Sequence, residues 1–352
     1  MLRPLDRALL AGAFALTAVA AVCNYAGASP VLRFVVAGIA LAGLAWVVSF
    51  GTEQVGTHFG PAITGFLQST LGNLPEFFIV IFALSAGQTV VAQTSIIGSL
   101  FANALLVLGA VIVVGARQAD SDYMTFRKRL PNDTATLLLV ASFIIVIVGL
   151  AAHSPGEARR HIEGLSAAAA VALLVVYGVW VSSYLRSDEP REEAHESAGA
   201  AVPLGVAIGV LAAAGVGAAL VSDWFIDALE PAIDTLGISQ AFAGLVIVAI
   251  AGNAVENVTG IVLAAKGRSD LAISVVKNSV AQVAAFLFPA LVLVSLLFKD
   301  TLTFELAPVY IGAILLTALA VWQITGDGEA ATFEGVALVA LYVVLGAYAF
   351  LD

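Results

Sequence analysis

Apolar residues run along this chain in long blocks, with short polar breaks between them. Crossing a hydrocarbon layer of about 30 Å takes about 20 apolar residues in a helix, and on that measure the chain divides into about eleven spans. They run from Leu9 to Gly27, Val31 to Thr57, Pro61 to Ala86, Thr89 to Ala116, Thr134 to Ala152 and Glu163 to Leu185. After a polar break they continue from Val202 to Leu229, Gln240 to Ala265, Asp270 to Phe298, Leu306 to Ile324 and Thr332 to Leu351. The predicted fold class is an all-α integral membrane protein that has the lipid bilayer as its solvent. The first span, with Arg3 and Arg7 before it and Ala26-Gly27-Ala28 after it, also has the layout of a signal peptide. A multi-span protein inserts equally well with it retained, and it is taken as an extra N-terminal helix covering residues 1–28.

The polar positions inside the apolar blocks are not random. Gly72-Asn73-Leu74-Pro75-Glu76 returns as Gly252-Asn253-Ala254-Val255-Glu256, and the same shift of 180 residues carries Gly98-Ser99 onto Asn278-Ser279. The chain thus reads as two repeats, residues 29–185 and 200–352. They are joined by an acidic stretch, 186–199, holding Asp188, Glu189, Glu192, Glu193 and Glu196. That stretch is read as a solvated cytoplasmic linker in preference to a regulatory cation site. Each repeat contains five spans, an odd number, so the second crosses the membrane in the opposite sense to the first. In transporters built from inverted repeats the substrate site lies near the midplane where the repeats meet, on interrupted helices.

Composition agrees with this reading. Hydrophobic residues make up 61% of the 352 and charged ones 11%, against about 25% charged in soluble domains. The single cysteine, Cys23, rules out an intrachain disulfide framework and argues against a thiolate metal site. The net charge of −10 argues against nucleic acid as a partner. Counting Lys and Arg in alternate loops puts the N-terminus in the cytoplasm of a cell (plasma) membrane protein. Arg3, Arg7, Arg117, Arg127, Lys128, Arg129, Arg186, Arg191, Lys266 and Arg268 then lie inside, whereas Arg33, Arg159, Arg160 and Lys299 lie outside. The C-terminus is then external, and Lys277 is the basic residue left within a span.

A carboxylate in mid-membrane is costly without partners, which makes Glu76 and Glu256 functional candidates at once. On a helix, Asn73 shares a face with Glu76 and Asn253 with Glu256, so each repeat offers a carboxylate and an amide oxygen. Gly72 and Gly252 weaken the helix before them, and Pro75 frees the carbonyl of Leu71. Such an oxygen set suits a hard cation, with Glu76, Glu256, Asn73 and Asn253 as its ligands. Two polar stripes, Ser95-Ser99-Asn103 and Ser274-Asn278-Gln282, with Ser279 beside the second, are expected to line the ion path in preference to gluing helices together. Protons compete for the same carboxylates, so exchange against H⁺ needs no further residue and no cofactor.

The long paired motifs, Gly72-Asn73-x-x-Glu76 followed by Gln93 through Gly109, and Gly252-Asn253-x-x-Glu256 through Gln282, resemble those of the Ca²⁺/cation antiporter superfamily. Its Ca²⁺/H⁺ exchanger branch is the most similar. The resemblance covers nearly the whole chain. It implies a first span outside the repeats, two five-helix halves joined by an acidic stretch, and small cations bound by the two glutamates. Four positions depart from the family's pattern. Asn257 stands where histidine commonly follows the second glutamate, Lys277-Asn278 replaces an apolar-Gly pair, and Pro75 resembles the sodium-coupled branches. A charged Lys277 beside two carboxylates and Ca²⁺ leaves one net positive charge, whereas with Na⁺ the sum is zero. Ca²⁺ is therefore the expected cargo by likeness. Na⁺ stays open unless the lysine deprotonates or snorkels to the cytoplasmic surface. A cation channel fits less well, since it needs no inverted repeat. An enzyme finds no motif: His195-Glu196 is followed by Ser197-Ala198-Gly199, and no Gly-x-Ser-x-Gly is present. The sequence leaves the oligomeric state open.

Overall fold

The structure, a computed structural model, describes residues 3–59, 67, 71–119, 122–127, 129–186 and 202–352. The linker acids Asp188 to Glu196 and most of the first half of the third span lie outside the described residues. Among these, nine helices are long and apolar enough to cross a membrane, ten if one bent pair counts as a span.

Helix α1 is Pro4–Tyr25 and α2 is Pro30–Gly56, each with proline in its first turn, where a missing N–H costs nothing. A short apolar helix, α3, spans Leu74–Ser85. Helix α4, Thr89–Gln118, is followed by the strand β1, Tyr123–Thr125. Next come α5 (Arg129–His153), α6 (Ile162–Arg186) and α7 (Leu204–Leu236). The bent pair is α8 (Gln240–Gly252) and α9 (Ala254–Ala265), which meet at 61°. Helix α10 (Ser269–Ser295), α11 (Pro308–Thr325), strand β2 (Glu329–Ala331) and α12 (Thr332–Leu351) complete the chain.

The backbone repeats along with the sequence. Gly87 and Gly267, one shift apart, end α3 and α9 with φ of 73° and 71°, the left-handed region that glycine enters at no steric cost. Asn73 and Asn253 cap α3 and α9 with φ/ψ of −89°/13° and −98°/16°. A wide π turn interrupts α4 at Ala102–Val107 and α10 at Val283–Leu287. The packing follows the same symmetry: α2 lies against α7 and α5 against α11, while α4 packs on α12 as α10 packs on α6.

Loops group on two faces. β1 pairs antiparallel with β2, Met124 opposite Ala330, and the Arg127 amide donates to Asp270 Oδ1 at 2.6 Å. On the other face Thr301 donates to Glu163 Oε1 at 3.0 Å and Gln93 to the Glu305 carbonyl at 3.1 Å. Between the faces the outer surface is apolar: Leu316, Val344, Val179 and Phe143 are all exposed. Such a surface is stable only in lipid.

Candidate cation site

Both glutamates stand in the first turn of a helix that starts afresh after a Gly-Asn break. Asn73 and Asn253 leave helical geometry, so α3 begins at Leu74 and α9 at Ala254, with Glu76 and Glu256 each at the third position. The expected interruption falls at the asparagines themselves, so Asn73 and Asn253 are caps outside the helices and the i, i+3 shared helical face expected for each Asn–Glu pair is corrected. Pro75 falls in the first turn, where a donor is not needed, so it starts a helix and does not disrupt one. The fresh start places each glutamate in the first turn of its helix, where the helix dipole favours an acidic group.

The cap side chains reach across to the other repeat. Ser99 of α4 donates to Glu76 Oε1 at 3.1 Å. Asn253 Nδ2 donates to Ser99 Oγ at 2.8 Å and to the Ala249 carbonyl at 2.9 Å. Its Oδ1 accepts from Asn103 Nδ2 at 2.6 Å, and Asn103 holds the Ser99 carbonyl at 3.0 Å. Gly252 makes room for this, since a Cβ there would stand 2.8 Å from Glu76 Cγ. The first repeat's carboxylate is therefore held by the second repeat's break, and the network is buried throughout: Glu76 is 6% exposed.

The other half of the site is wired differently. Asn73 Nδ2 reaches Gln282 Oε1 at 3.5 Å, a long contact. Glu256 is half-buried, and Ser279, repeat-related to Ser99, has a buried hydroxyl with no hydrogen-bond partner. Glu76 Oε2, Asn103 Oδ1, Asn257 Oδ1 and Asn278 Oδ1 are likewise buried without partners. Among the described residues no cluster of three or more His, Cys, Asp or Glu could hold a metal. A cation here must therefore draw on neutral oxygens as well as on the two acids.

Of the expected path residues, Ser95 gives its hydroxyl to the Ala92 carbonyl at 3.0 Å, yet lines a narrow space of ≈ 10 Å³ beside Glu76 with Ile79, Ile96, Ser99, Val248 and Leu287. That is about what one water needs. Ser274 and Asn278 are half-buried on α10. The second stripe is offset by one residue from the first: Ser279 matches Ser99, and Val283, not Gln282, matches Asn103. Lys277 is 2% exposed, so it does not snorkel to the surface, and its ammonium donates to Thr325 Oγ1 at 2.6 Å, at the C-terminal end of α11. Helix ends of that polarity favour a cation.

Sequence reasoning missed Thr325 and the crossing of α4 with α8. A Cβ on Gly98 would lie 2.6 Å from Leu245 Cα, and one on Gly244 would lie 3.1 Å from Thr94 Cβ, so these helices touch backbone to backbone. Glycine at 98 was visible as a motif residue, but its partner lies in another span and carries no local signal.

The profile of the family described as "Sodium/calcium exchanger protein" matches residues 29–184 and 206–351. A Ca(2+)/H(+) antiporter of Synechocystis sp. is 31% identical over 332 residues, covering 89% of this chain and 89% of that protein. The Ca(2+)/H(+) antiporter ChaA of Bacillus subtilis is 29% identical, covering 89% of this chain and 90% of its own. Among solved structures, native YfkE superposes with a TM-score of 0.80 at 27% identity, over 98% of this chain and 99% of that one. The sodium-calcium exchanger NCX_Mj gives a TM-score of 0.57 at 20% identity, over 90% of this chain and 98% of that one, a likeness of fold.

Proposed function

Because the chain belongs to the sodium/calcium exchanger protein family, we propose that it is a proton-coupled antiporter that exports Ca²⁺ in exchange for H⁺. The observation that carries this reading is that Glu76 and Glu256, one from each repeat, stand in the first turns of two interrupted helices, with Asn253 of the second break bonded to Ser99, which holds Glu76. Two ionised carboxylates balance one Ca²⁺, and two protons balance the same carboxylates once the metal leaves. Either state is neutral, and a site holding neither cargo carries two like charges in a poorly solvating interior. That penalty couples the two fluxes. The cation cannot depart unless protons arrive.

The halves 29–185 and 200–352 act as the two inverted units, and exchange of their arrangements exposes the glutamates to each face in turn. Ser99, Asn103 and Asn253 orient Glu76. The protein sits in the plasma membrane with its N-terminus and the β1–β2 pair in the cytoplasm and its C-terminus outside, on the count of Lys and Arg.

Lys277 favours a second reading, Na⁺/H⁺ exchange, since a permanent ammonium near the site would replace one cargo charge. Its bond to Thr325 supports the first reading, because the ammonium is satisfied at the end of α11. The test is proton release from acidified inside-out vesicles on adding Ca²⁺, Na⁺, K⁺ or Mg²⁺ separately, with Glu76→Gln/Glu256→Gln as control. Release by Ca²⁺ that the control lacks is expected. Release by Na⁺ but not Ca²⁺ transfers the assignment to the second reading, and full activity in the control removes both.

A further inference from the structure

Five buried oxygens in and around the site lack hydrogen-bond partners, and two of them belong to second-repeat residues that have no polar counterpart in the first. Asn257 and Asn278 each carry a buried Oδ1 without a partner. The equivalent positions in the first repeat are Phe77 and Gly98, which offer no side-chain oxygen. The register of α9 against α10 brings them to the same level. Gly260 of α9 meets Val276 of α10, where a Cβ would stand 2.8 Å from Val276 Cγ2. The two helices run antiparallel, so one turn back from Gly260 lies Glu256-Asn257, and one turn on from Val276 lies Ser279, next to Asn278.

The amide that the motif itself supplies is partly engaged. Asn253 accepts Asn103 on Oδ1 and gives its NH₂ to Ser99 and Ala249, which leaves one lone pair of that oxygen for a cation. A Ca²⁺ ion takes six to eight oxygens. The acids supply at most four, and the free neutral oxygens lie mostly on the Glu256 side.

We propose that Asn257 and Asn278 contact the transported cation through their amide oxygens, forming with Glu256 and Ser279 the half of the site at which the metal gathers its neutral ligands. The inference rests on the antiporter reading. Gly98 closes α4 onto α8 in the first repeat, whereas its counterpart Asn278 carries a side chain whose Oδ1 has no partner. The two half-sites therefore divide the work: Glu76 is positioned by hydrogen bonds, and Glu256 is accompanied by ligands.

The test uses the full-length protein reconstituted in proteoliposomes, with KM and Vmax measured for cation-driven proton flux in Asn257→Ala, Asn278→Ala and the carboxylate-bearing Asn257→Asp and Asn278→Asp. Each alanine variant is expected to raise the Ca²⁺ KM about tenfold, the scale of one lost polar contact, with Vmax little changed. Aspartate, which keeps an oxygen at the same reach, should restore the KM; a purely structural role would not show that rescue. An unshifted KM in both alanine variants beside an active wild type overturns the proposal and leaves the antiporter reading standing, as does a fall in Vmax alone. Should the wild type move Na⁺ in place of Ca²⁺, the cargo assignment fails, and the same variants are read on the Na⁺ KM. A wild type with no saturable cation-driven flux overturns both.

Discussion

Replacing Gly252 by alanine separates folding from cation affinity. Gly252 is absent from the glycines with positive φ, so alanine fits its backbone and gains about 0.4–1 kcal/mol by restricting the unfolded chain. The new Cβ would lie 2.8 Å from Glu76 Cγ, 3.5 Å from Oε1 and 3.6 Å from Cδ. Carbon atoms in contact settle at about 3.5–4.0 Å, so the carboxylate arm must withdraw by about 1 Å. Its bond from Ser99 is 3.1 Å long at the start and does not survive that move. A hydrogen bond to a charged group contributes about 1.5–3 kcal/mol, which outweighs the backbone gain in the site and translates into about a ten- to hundredfold rise in the cation KM. The expected result is a protein that melts within a few degrees of wild type yet needs far more Ca²⁺ for half-maximal proton release from inside-out vesicles. A KM within twofold of wild type would refute the claim that Glu76 is held in place across the repeats. A large fall in melting temperature would show that the clash is absorbed by the backbone instead.

At Gly98 the neighbour is the backbone of Leu245, which cannot retract, so Gly98→Ala should cost about 1–3 kcal/mol of stability; an unchanged thermal melt in detergent would contradict the close crossing. Acidifying the face on which the cation binds should raise the cation KM without lowering Vmax, because protons occupy the carboxylates that the cation needs; a KM independent of pH would disprove a shared site. Lys277→Met should leave the charge moved per Ca²⁺ unchanged when measured as current across a planar membrane, since the ammonium is tied to Thr325; altered electrogenicity would mean that the lysine enters the charge balance. Glu76→Gln and Glu256→Gln should each abolish exchange in a protein that still inserts and elutes as one species, and normal flux in either would remove the two-carboxylate mechanism.

The spans, the repeat and the two acidic helices were legible because each leaves a local mark: about 20 apolar residues in a row, or a Gly-Asn-x-x-Glu motif written twice. The geometry inside the motif was not. The i, i+3 spacing of a helix put Asn73 and Glu76 on one face, whereas a glycine followed by an asparagine cap and a proline in the next turn is also the signature of a helix beginning. The choice between the two depends on what lies opposite, and that is the other repeat. The same holds for Asn253, whose partners Ser99 and Asn103 are more than a hundred residues away. The one-residue offset between the polar stripes was hidden because a stripe of every fourth residue looks alike in either register; the repeated π turns at Ala102–Val107 and Val283–Leu287 fix it.

The inequality of the two half-sites bears on how the metal is exchanged. If both carboxylates were held as Glu76 is, a cation would have to break several hydrogen bonds before gaining any ligand, and entry would be slow. If both were as unpartnered as the Glu256 side, the empty site would leave many buried oxygens unsatisfied, each a cost to the fold. One ordered carboxylate gives the cation a fixed end point, and one surrounded by free oxygens lets it shed its water in steps. On the proposed ligand set the oxygens of Asn257, Asn278 and Ser279 would replace waters before the ion draws on Glu76 Oε2, the carboxylate oxygen that the Ser99 bond leaves free. Binding in that order requires Glu256 to engage first, so neutralising Glu256 should slow cation entry more than neutralising Glu76, which should mainly shorten the time the ion stays.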